Sequence, residues 1–355
     1  MSLPHKIRDV LIVTDAWTPQ VNGVVRTLKN TQQQLQQRGL RVQFLTPDNF
    51  KTIRCPGYPE IRLAVTTASD VARHIQDIDP DALHIATEGP LGWATRRAAQ
   101  KNDWAYTTAY HTRFPEYLSL RTGLPIRWLY QAMRRFHARS SAVLVPTPSI
   151  ARVLRDQGFD RLKSWTRGVD RKIFYPLNAE RQINRPNPVF LYAGRLAVEK
   201  NLDAFLKLDL PGEKWVVGDG PLGAELKRKY RDVRWSGAMS QYELASIYNQ
   251  ADVFVFPSRT DTFGLVMAEA LACGLPVAAF PVPGPIDVIG DSGAGCLSAD
   301  LKEACLKCLD IPRATAVARA QEFTWEKASA QFLDALVPIA EDSLVNEREQ
   351  VARFV

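Results

Sequence analysis

The stretch "DVFVFPSRTDTFGLVMAEALACGLPVAAFPV", residues 252–282, contains two short apolar runs on either side of a turn and an apolar helical segment. A strand, a helix and a second strand in this order predict two parallel strands of one sheet. Two acids lie between the strands, Asp261 just before the helix and Glu269 within it. Asp261 is explained as a helix cap, but an apolar helix face rarely accepts an unpaired Glu. Glu269 is therefore the first candidate for a functional residue.

The alternation of strands and helices extends over the whole chain, in two halves. The first half contains the apolar runs "DVLIVTD", "RVQFLTP", "ALHIAT", "AYTTAYH" and "AVLVPT". The second half starts after residue 188 and contains "VFLYAGRL", "KWVVGD", "VRWSGA", "DVFVFPS" and "PVAAFPV". This pattern predicts an α/β fold of two doubly wound, Rossmann-like parallel sheets that face each other across a cleft. Ligands of such sheets bind beyond the carboxyl ends of the strands, which here means in the cleft.

The predicted domain boundaries depend on one segment that lacks periodicity. The run "GVDRKIFYPLNAERQINRPNP" is rich in Pro and Asn, which indicates a linker. We therefore predict an N-terminal domain over residues 1–166, a linker over 167–187 and a C-terminal domain over 188–335. Residues 336–355 are predicted to form a helix that packs back toward the N-terminal domain.

The composition of the 355 residues is that of an ordinary soluble protein, with 46% hydrophobic and 23% charged residues. No apolar stretch approaches the roughly 18 residues of a membrane-spanning helix, and "MSLPHKIRDVLIVTD" runs into a strand without room for a signal peptide. Five cysteines, an odd number, indicate reduced thiols in the cytoplasm. Cys305 and Cys308 form a single CxxC, for which we favour core packing over metal or redox chemistry.

The net charge of +7 is distributed unevenly. Residues 1–165 contain 23 Lys and Arg against 13 Asp and Glu, or +10, and the remainder contains 22 against 25, or −3. Such asymmetry is typical of proteins that bind nucleic acid, an anionic membrane surface or ligands that carry phosphate.

Two cations follow the first predicted strand of the second half, in "YAGRLAVEKN". Arg195 and Lys200 come at the end of that strand that faces the cleft, where they can hold a diphosphate. The alternative is two solvated surface cations. A GxGxxG pattern, "GDGPLG", lies further along, at residues 218–223, where a tight turn from strand to helix is favoured over a dinucleotide site.

Two candidates lie in the first half of the chain. Gly23, in "TPQVNGVVRTL", precedes a helix, so that a phosphate can approach its backbone and the helix N-terminus; a plain turn glycine is the alternative. His111, in "AYHTRFPEY", follows another strand. A lone His is more often structural, but its place at a strand end favours a role in the cleft.

Taken in order, these motifs resemble those of retaining glycosyltransferases of family 4, which have the GT-B fold. The resemblance is carried by "VNGVVRTL", "GRLAVEKN", "GDGP", "DVFVFPS" and "DTFGLVMAEALACGLPV", and extends from the first strand to "FTWEKASAQFL". Within the family the sequence most resembles bacterial α-mannosyltransferases and glycosyl-diacylglycerol synthases. The resemblance implies that the N-terminal domain binds the acceptor and the C-terminal domain binds a nucleotide sugar.

The resemblance also implies roles for the candidate residues. In the family an acid-x7-acid motif binds the donor, and its second Glu, here Glu269, holds the ribose hydroxyls. The first acid contacts the donor sugar; it is usually Glu in the family but Asp261 here, which leaves the sugar open. Backbone amides of the turn bind the diphosphate, and the turn residues concerned are Phe263, Gly264 and Leu265.

The expected reaction moves a hexose from a UDP- or GDP-linked sugar to an acceptor hydroxyl and forms an α-glycosidic bond. Arg195, Lys200, the Gly23 turn and the amides near Phe263 are expected to stabilise the departing diphosphate. His111 is expected to lie against the donor sugar. We expect no cofactor and no metal ion, in agreement with the family's metal independence and with the lack of an acid pair at a strand end.

Residues 113–139, "RFPEYLSLRTGLPIRWLYQAMRRFHAR", contain six arginines and one Glu. Interleaved with the arginines are Trp128, Leu129, Tyr130, Met133 and Phe136. One interpretation is a helix packed on the core with a solvated basic face. The other is a surface that binds anionic lipid headgroups, with Trp128 and Tyr130 at the polar boundary. The second predicts a peripheral enzyme at the inner face of the cytoplasmic membrane that glycosylates a lipid, such as diacylglycerol or a lipid-linked sugar.

Other functions stay open at this point. The acceptor can be a soluble sugar, a polysaccharide or a lipopolysaccharide, or the chain can bind a nucleotide sugar without turnover. Binding of nucleic acid is disfavoured, because the cations are spread over several helices and no known reader motif is present.

Overall fold

A computed structural model of the protein describes residues 7–20, 22–55, 58–177 and 186–340. The described residues of the first half form eight strands, which are, in chain order, β1 (Asp9–Val13), β2 (Arg41–Leu45), β3 (Lys51–Cys55), β4 (Tyr58–Val65), β5 (Ala82–Ile85), β6 (Thr107–Ala109), β7 (Ala142–Val145) and β8 (Leu162–Ser164). Six helices alternate with them: α1 (Gly23–Gln37), α2 (Ala68–Ile78), α3 (Pro90–Lys101), α4 (Phe114–Thr122), α5 (Ile126–His137) and α6 (Pro148–Asp156).

The second half repeats this alternation. Its strands are β9 (Val189–Ala193), β10 (Glu213–Val217), β11 (Arg234–Ser236), β12 (Val253–Phe256), β13 (Val277–Ala279) and β14 (Gly295–Leu297). Its helices are α7 (Leu202–Leu206), α8 (Gly223–Lys229), α9 (Gln241–Gln250), α10 (Leu265–Ala272), α11 (Pro285–Val288), α12 (Leu301–Cys308), α13 (Arg313–Ala320) and α14 (Trp325–Ala335). Two short 3-10 turns lie at Pro47–Asn49 and Val198–Lys200.

Both halves build a six-stranded parallel sheet with the same order of strands. The first is β2-β1-β5-β6-β7-β8 and the second is β11-β10-β9-β12-β13-β14, while β3 and β4 form a separate antiparallel hairpin. In each sheet the order reverses beside the first strand, so that β1 lies between β2 and β5, and β9 lies between β10 and β12. The loops that leave these neighbouring strands diverge and create a crevice at the carboxyl edge.

Both sheets are covered by helices, as the apolar character of their strands requires. Every residue of β9, β12 and β13 is buried, and each sheet separates two apolar clusters. Cys305 and Cys308 lie in one of these clusters, which agrees with core packing for the CxxC. The two sheets, with their helices, are the predicted α/β architecture.

The chain crosses back to the first domain earlier than its predicted boundary. Helix α14 packs on the core of the N-terminal sheet through Trp325, Ala328 and Phe332. The backbone of Ile339 then exchanges hydrogen bonds with Asp81 and Ala105, both at 2.8 Å. Residues 336–340 are not helical, and the rest of the predicted helix, 341–355, lies outside the described residues.

Part of the predicted linker over 167–187 belongs to the C-terminal domain. Val169 and Phe174 are buried in the core of the C-terminal domain, and residues 178–185 lie outside the described part of the chain. Among the described residues, no helix combines the length and the apolar character that crossing a bilayer requires.

Candidate active site

The loops that follow β9 and β12 meet because these strands are neighbours in the sheet. Lys200, from the first loop, places its Nζ 2.6 Å from Oδ1 of Asp261, from the second. Burial by itself lowers the pKa of Lys200, but the Asp261 carboxylate outweighs burial and keeps that pKa above its ordinary value. The pair therefore consists of a cation and an anion, and Oδ2 of Asp261 is buried without a hydrogen bond to any described residue.

A tyrosine of the N-terminal domain lies beside this pair. Tyr117, on α4, is close to Lys200, Asp261 and Thr260. Burial raises the pKa of Tyr117 to about 12, so its phenol stays protonated at neutral pH. Tyr117 is absent from the predicted site, since nothing in its local sequence distinguishes it from other tyrosines.

Arg195 and its glycine neighbour form the start of the same loop. The Arg195 side chain is half-buried, and its carbonyl accepts a hydrogen bond of 2.9 Å from the Tyr192 hydroxyl. The "GDGPLG" turn packs closely against this loop, because a Cβ atom on Gly218 would lie 1.9 Å from the carbonyl oxygen of Gly194. The motif is thus a close-packed turn from strand to helix, as favoured from the sequence.

Glu269 is buried on α10, with 2% of its side chain exposed, but it is not unpaired. The guanidinium of Arg26, on α1 of the other domain, donates a hydrogen bond to Oε1. Burial raises the pKa of Glu269, and Arg26 opposes that rise. The second oxygen, Oε2, forms no hydrogen bond of normal geometry, although Tyr248 is close enough to lower the pKa.

The N-termini of α1 and α10 lie against each other across the cleft. A Cβ atom built on Gly23, the first residue of α1, lies 3.5 Å from Cδ1 of Leu265, the first residue of α10. The N-terminus of α1 is capped by Asn22, whose side chain accepts 3.0 Å hydrogen bonds from two backbone amides. Helix N-termini carry partial positive charge, so this part of the cleft favours an anion.

The turn before α10 requires a glycine. Gly264 has φ +81°, and a Cβ atom there would lie 2.8 Å from Cε of Met267 and 2.9 Å from Cζ of Phe256. Phe263 is buried, edge-on to Phe323 with a centroid distance of 5.4 Å. Its side chain anchors the turn in the core, so Phe263 itself can offer only its backbone to a ligand.

His111 lies two residues beyond β6, beside the same turn. Its carbonyl accepts a 2.7 Å hydrogen bond from the hydroxyl of Thr262, and its Nδ1 lies 3.1 Å from a guanidinium nitrogen of Arg167. Burial, the Arg167 charge and His84 together hold the pKa of His111 well below 6.5. His111 is therefore neutral, and its Nε2 is buried without a hydrogen bond within the described residues.

Further hydrogen bonds close the cleft around these residues. Thr147 donates to the carbonyl of Thr262 at 3.3 Å, and the backbone amide of Ser149 donates to Asp287 at 3.0 Å. Most of the predicted site residues thus lie at contacts between the two domains, which we call the seam: Gly23, His111, Lys200, Asp261, Leu265 and Glu269. No group of three or more His, Cys, Asp or Glu suited to a metal ion occurs among the described residues.

The N-terminal domain also presents a basic and apolar surface on α4, α5 and the residues next to them. We call it the α4–α5 surface; its exposed apolar residues are Phe114, Leu118, Leu124, Ile126 and Trp128, and its exposed arginines are Arg127, Arg134, Arg135 and Arg139. On α5, Arg134 follows Arg127 by seven residues, and Arg135 follows Trp128 by seven residues. Seven residues are nearly two helical turns, so the two members of each pair lie on the same side of the helix.

Part of the predicted lipid-facing set points inward instead. Tyr130 and Phe136 are buried, and the Tyr130 hydroxyl donates to Oε1 of Glu116 at 2.7 Å. The expectation that Tyr130 lies at the polar boundary is therefore wrong, because it shares the core-facing side of α5. Arg113 is likewise paired with Glu116, and the side chain of Arg121 lies outside the described residues.

Comparison with known proteins identifies the family. Residues 21–172 match the family described as Glycosyltransferase Family 4, and residues 187–310 match the one described as Glycosyl transferases group 1. The chain is 30% identical over 315 residues to a GDP-mannose-dependent alpha-mannosyltransferase from Mycobacterium tuberculosis, with 81% of this chain and 83% of that protein covered. The chain belongs to glycosyltransferase family 4.

Two further comparisons concern a second relative and the fold. This family 4 glycosyltransferase is 24% identical over 394 residues to the alpha-monoglucosyldiacylglycerol synthase of Streptococcus pneumoniae, with 95% of this chain and 89% of that protein covered. The structure of sucrose-phosphate synthase from Thermosynechococcus elongatus superimposes with a TM-score of 0.74 at 20% identity, covering 92% of this chain and 97% of that one. The predicted family and the predicted GT-B fold are confirmed.

The contacts of three seam residues, in addition to those of Tyr117, were not predicted from the sequence. Arg26 lies three positions after Gly23, nearly one helical turn, which puts it on the side of α1 that faces the cleft. Thr262 stands beside Asp261, but nothing in the sequence indicates that its hydroxyl donates to the His111 carbonyl. Arg167 was assigned to the linker, because "WTRGVD" has no periodicity.

Proposed function

We propose that this family 4 glycosyltransferase transfers a hexose from a UDP- or GDP-linked sugar to a hydroxyl group of a membrane lipid, with retention of configuration at the anomeric carbon. One observation carries the proposal. Along the seam, Oδ2 of Asp261, Oε2 of Glu269 and Nε2 of His111 are buried and make no hydrogen bond of normal geometry within the described residues. Buried polar atoms generally have partners, and a polyhydroxylated ligand supplies both donors and acceptors.

The donor is expected to lie along the seam in a defined direction. Hydroxyl groups of the ribose donate to Glu269 at one end, and hydroxyls of the hexose donate to Asp261 at the other. The diphosphate between them faces the N-termini of α1 and α10. The name of the mycobacterial relative, which is GDP-mannose-dependent, supports a nucleotide diphosphate sugar as donor.

Charge compensation of the leaving diphosphate is the main catalytic demand. Arg195, Lys200 and the amides of Gly23 and Leu265 supply positive charge that is already oriented, which costs little reorganisation during the reaction. We propose that they do so in place of a metal ion. Asp261 holds Lys200 in position while the phosphate is absent, and the phosphate then shares that cation.

The α4–α5 surface supports a lipid acceptor. Trp128 is 56% exposed, and four apolar neighbours are also exposed beside four exposed arginines. Apolar side chains among arginines suit the boundary between acyl chains and anionic headgroups. The pneumococcal relative is named for a diacylglycerol product, and we propose the same class of acceptor, or a lipid-linked sugar, at the inner face of the cytoplasmic membrane.

The experiment measures transfer from labelled UDP-glucose, UDP-glucuronate and GDP-mannose to vesicles that contain diacylglycerol, with and without anionic phospholipid. We expect an organic-soluble product whose yield rises with anionic lipid and falls with salt, since screening weakens surface attraction. NMR of the product determines whether the new linkage is α.

Two charge-reversal variants separate membrane binding from general charge effects. Arg134→Glu with Arg135→Glu should abolish vesicle binding and lower transfer to lipid. Lys227→Glu with Arg228→Glu changes the charge equally on an exposed helix of the other domain and should leave both unchanged. Transfer to water-soluble sugars alone, with no response to anionic vesicles, would refute the lipid acceptor.

A further inference from the structure

Arg167 is a buried arginine whose partners are unusual. Its side chain is 4% exposed, and its guanidinium donates to the carbonyls of Trp165 and Thr166 and lies 3.1 Å from Nδ1 of His111. It also lies over the Trp165 ring, 4.7 Å from the centroid. In the part of the chain that the structure describes, no carboxylate forms an ion pair with Arg167.

A cation buried without an anion is costly, which indicates a role beyond packing. The cost is visible in the Arg167 guanidinium itself, since burial lowers its pKa to about 9. A packing role alone would be met by an apolar side chain of similar length.

The contact determines the hydrogen-bonding state of His111. Arginine has five N–H donors and no acceptor, so Nδ1 of His111 must accept. The proton of a neutral imidazole is then on Nε2, the nitrogen that has no partner among the described residues. A carboxylate at the position of Arg167 would have the opposite effect, since it would accept from Nδ1 and stabilise the imidazolium.

We propose that Arg167 is a positioning residue that holds His111 as the neutral Nε2–H tautomer, so that His111 donates a hydrogen bond to an oxygen atom of the donor hexose and does not act as a base. The inference rests on the proposed function, in which the hexose lies beside His111. It deepens that function by assigning His111 one state and by naming the residue that imposes it.

Among the residues that the structure describes, few charged groups act on His111. The charged and titratable groups that act on it are Arg167 and His84, on β5. His84 is itself neutral, because burial lowers its pKa to about 3. Trp165 packs edge-on to the imidazole with a centroid distance of 5.2 Å. The Thr262 hydroxyl donates to the backbone carbonyl of His111 and not to its imidazole.

The test is ¹⁵N NMR of the full chain with labelled histidines, in which the His111→Gln variant assigns the signal. In the wild-type protein we expect the Nε2–H tautomer and no titration of His111 between about pH 5.5 and 8.5, the range in which histidines ordinarily titrate. A wild-type Nδ1–H tautomer, or a titrating His111, overturns the inference without any variant of Arg167.

Variants of Arg167 then test the cause. Arg167→Met should produce mixed tautomers, raise the pKa of His111 toward its ordinary value and lower kcat about tenfold, with a further fall at acidic pH that the wild type does not show. Arg167→Lys keeps a donor and should restore the Nε2–H tautomer. Should Arg167→Met fail to fold, the Lys variant and the wild-type spectrum still decide the outcome.

Arg313→Met is the matched control, since Arg313 is equally buried and also donates to two carbonyls, those of Cys273 and Ala251, but lies away from His111. It should leave the His111 signal unchanged. An unchanged tautomer and a flat pH profile in Arg167→Met would show that Arg167 is merely structural.

A double variant separates failure of the inference from failure of the proposed function. Glutamine at position 111 carries a permanent amide donor, so Arg167→Met should have no additional effect on kcat in the His111→Gln background. If the spectra confirm the tautomer but His111→Gln transfers hexose as fast as the wild type, the proposed place of the sugar is wrong and the control of the tautomer stands.

Discussion

Replacing Arg26 by Met is expected to destabilise the protein much more than replacing its partner Glu269 by Gln. The two ends of this ion pair differ, because the Arg26 side chain is 27% exposed and that of Glu269 only 2%. Arg26→Met leaves a carboxylate in a buried site without its countercharge. Glu269→Gln removes the buried charge and leaves a guanidinium that water can reach.

The magnitude follows from this asymmetry. Removing one partner of a fully buried pair costs about 3–5 kcal/mol. Since Arg26 is partly hydrated, we expect the lower part of that range or less for Arg26→Met, about 2–3 kcal/mol at pH 7. Glu269→Gln is expected to change the free energy of unfolding by less than about 1 kcal/mol, because burying a neutral amide avoids the desolvation of a carboxylate.

The effect of pH has a definite sign. Burial raises the pKa of Glu269 in the folded protein above the ordinary 4.5, and Arg26 limits that rise. A group with a raised pKa contributes stability that is present below pH 4.5 and is lost as the pH rises through its folded value. Without Arg26 the rise is larger, so the destabilisation of Arg26→Met should shrink on acidification from pH 7 toward pH 4.5.

Thermal unfolding at pH 7 and pH 5 measures this difference. A loss of about 2 kcal/mol corresponds to a decrease in Tm of about 5 °C. The double variant of Arg26→Met and Glu269→Gln should be about as stable as Glu269→Gln alone, because it contains no buried carboxylate without a countercharge. Equal destabilisation by the two single variants, or a gap that widens at acidic pH, would refute the reasoning.

The same variants test the ribose contact, because a ligand that binds only the folded state raises its Tm. UDP or GDP should stabilise Arg26→Met at least as well as the wild type, since the carboxylate is then free to accept from the ribose. Glu269→Gln should lose most of that shift while kcat falls little, because the contact is made equally in the ground and transition states. An undiminished nucleotide shift in Glu269→Gln would show that the carboxylate does not bind the ribose.

Three further predictions concern the loops of the seam. Lys200→Ala and Arg195→Ala should each lower kcat about 10²-fold or more, and near-wild-type rates in both would exclude a diphosphate clamp. Asp261→Glu, which lengthens the side chain by one methylene, should change the preference among UDP-glucose, UDP-glucuronate and GDP-mannose more than the affinity for free nucleotide; an unchanged preference would show that Asp261 serves only to hold Lys200, since the N-cap of α10 is Gly264. Gly264→Ala should cost more stability in thermal unfolding than Gly123→Ala, since both have positive φ but only position 264 lacks space for a Cβ atom; equal costs would show that backbone strain, and not the clash, decides.

Much of the architecture could be predicted because it depends on short stretches of the chain. The apolar runs around β9, β12 and β13 are local, and so is the glycine turn between β12 and α10. Parallel strands joined by helices leave few arrangements open, and all of them bring strand ends to one edge. This is why the candidates from strand ends, such as Lys200 and Asp261, lie together although they are 61 residues apart.

The composition of α5 predicted an amphipathic helix but not the direction of each side chain. Trp128 and Tyr130 are equally suited by chemistry to a polar boundary. Only the packing of α5 on its domain directs Tyr130 to Glu116 and leaves Trp128 exposed. The return of α14 to the first domain is of the same kind, because an apolar helix face can cover either sheet.

The partners of the buried polar groups were decided by tertiary structure alone. Glu269 stood out in the sequence as a buried acid, but Arg26, 243 residues earlier, became its partner only when the two domains met. Nothing in the sequence around Arg167 indicated a functional role. Its contact with Nδ1 of His111 exists only because the fold brings the segment after β8 next to the end of β6. Secondary structure follows from periodicity within a few residues, whereas the partner of a buried charge is whichever group the folded chain brings within hydrogen-bond distance, and that distance has no counterpart along the sequence.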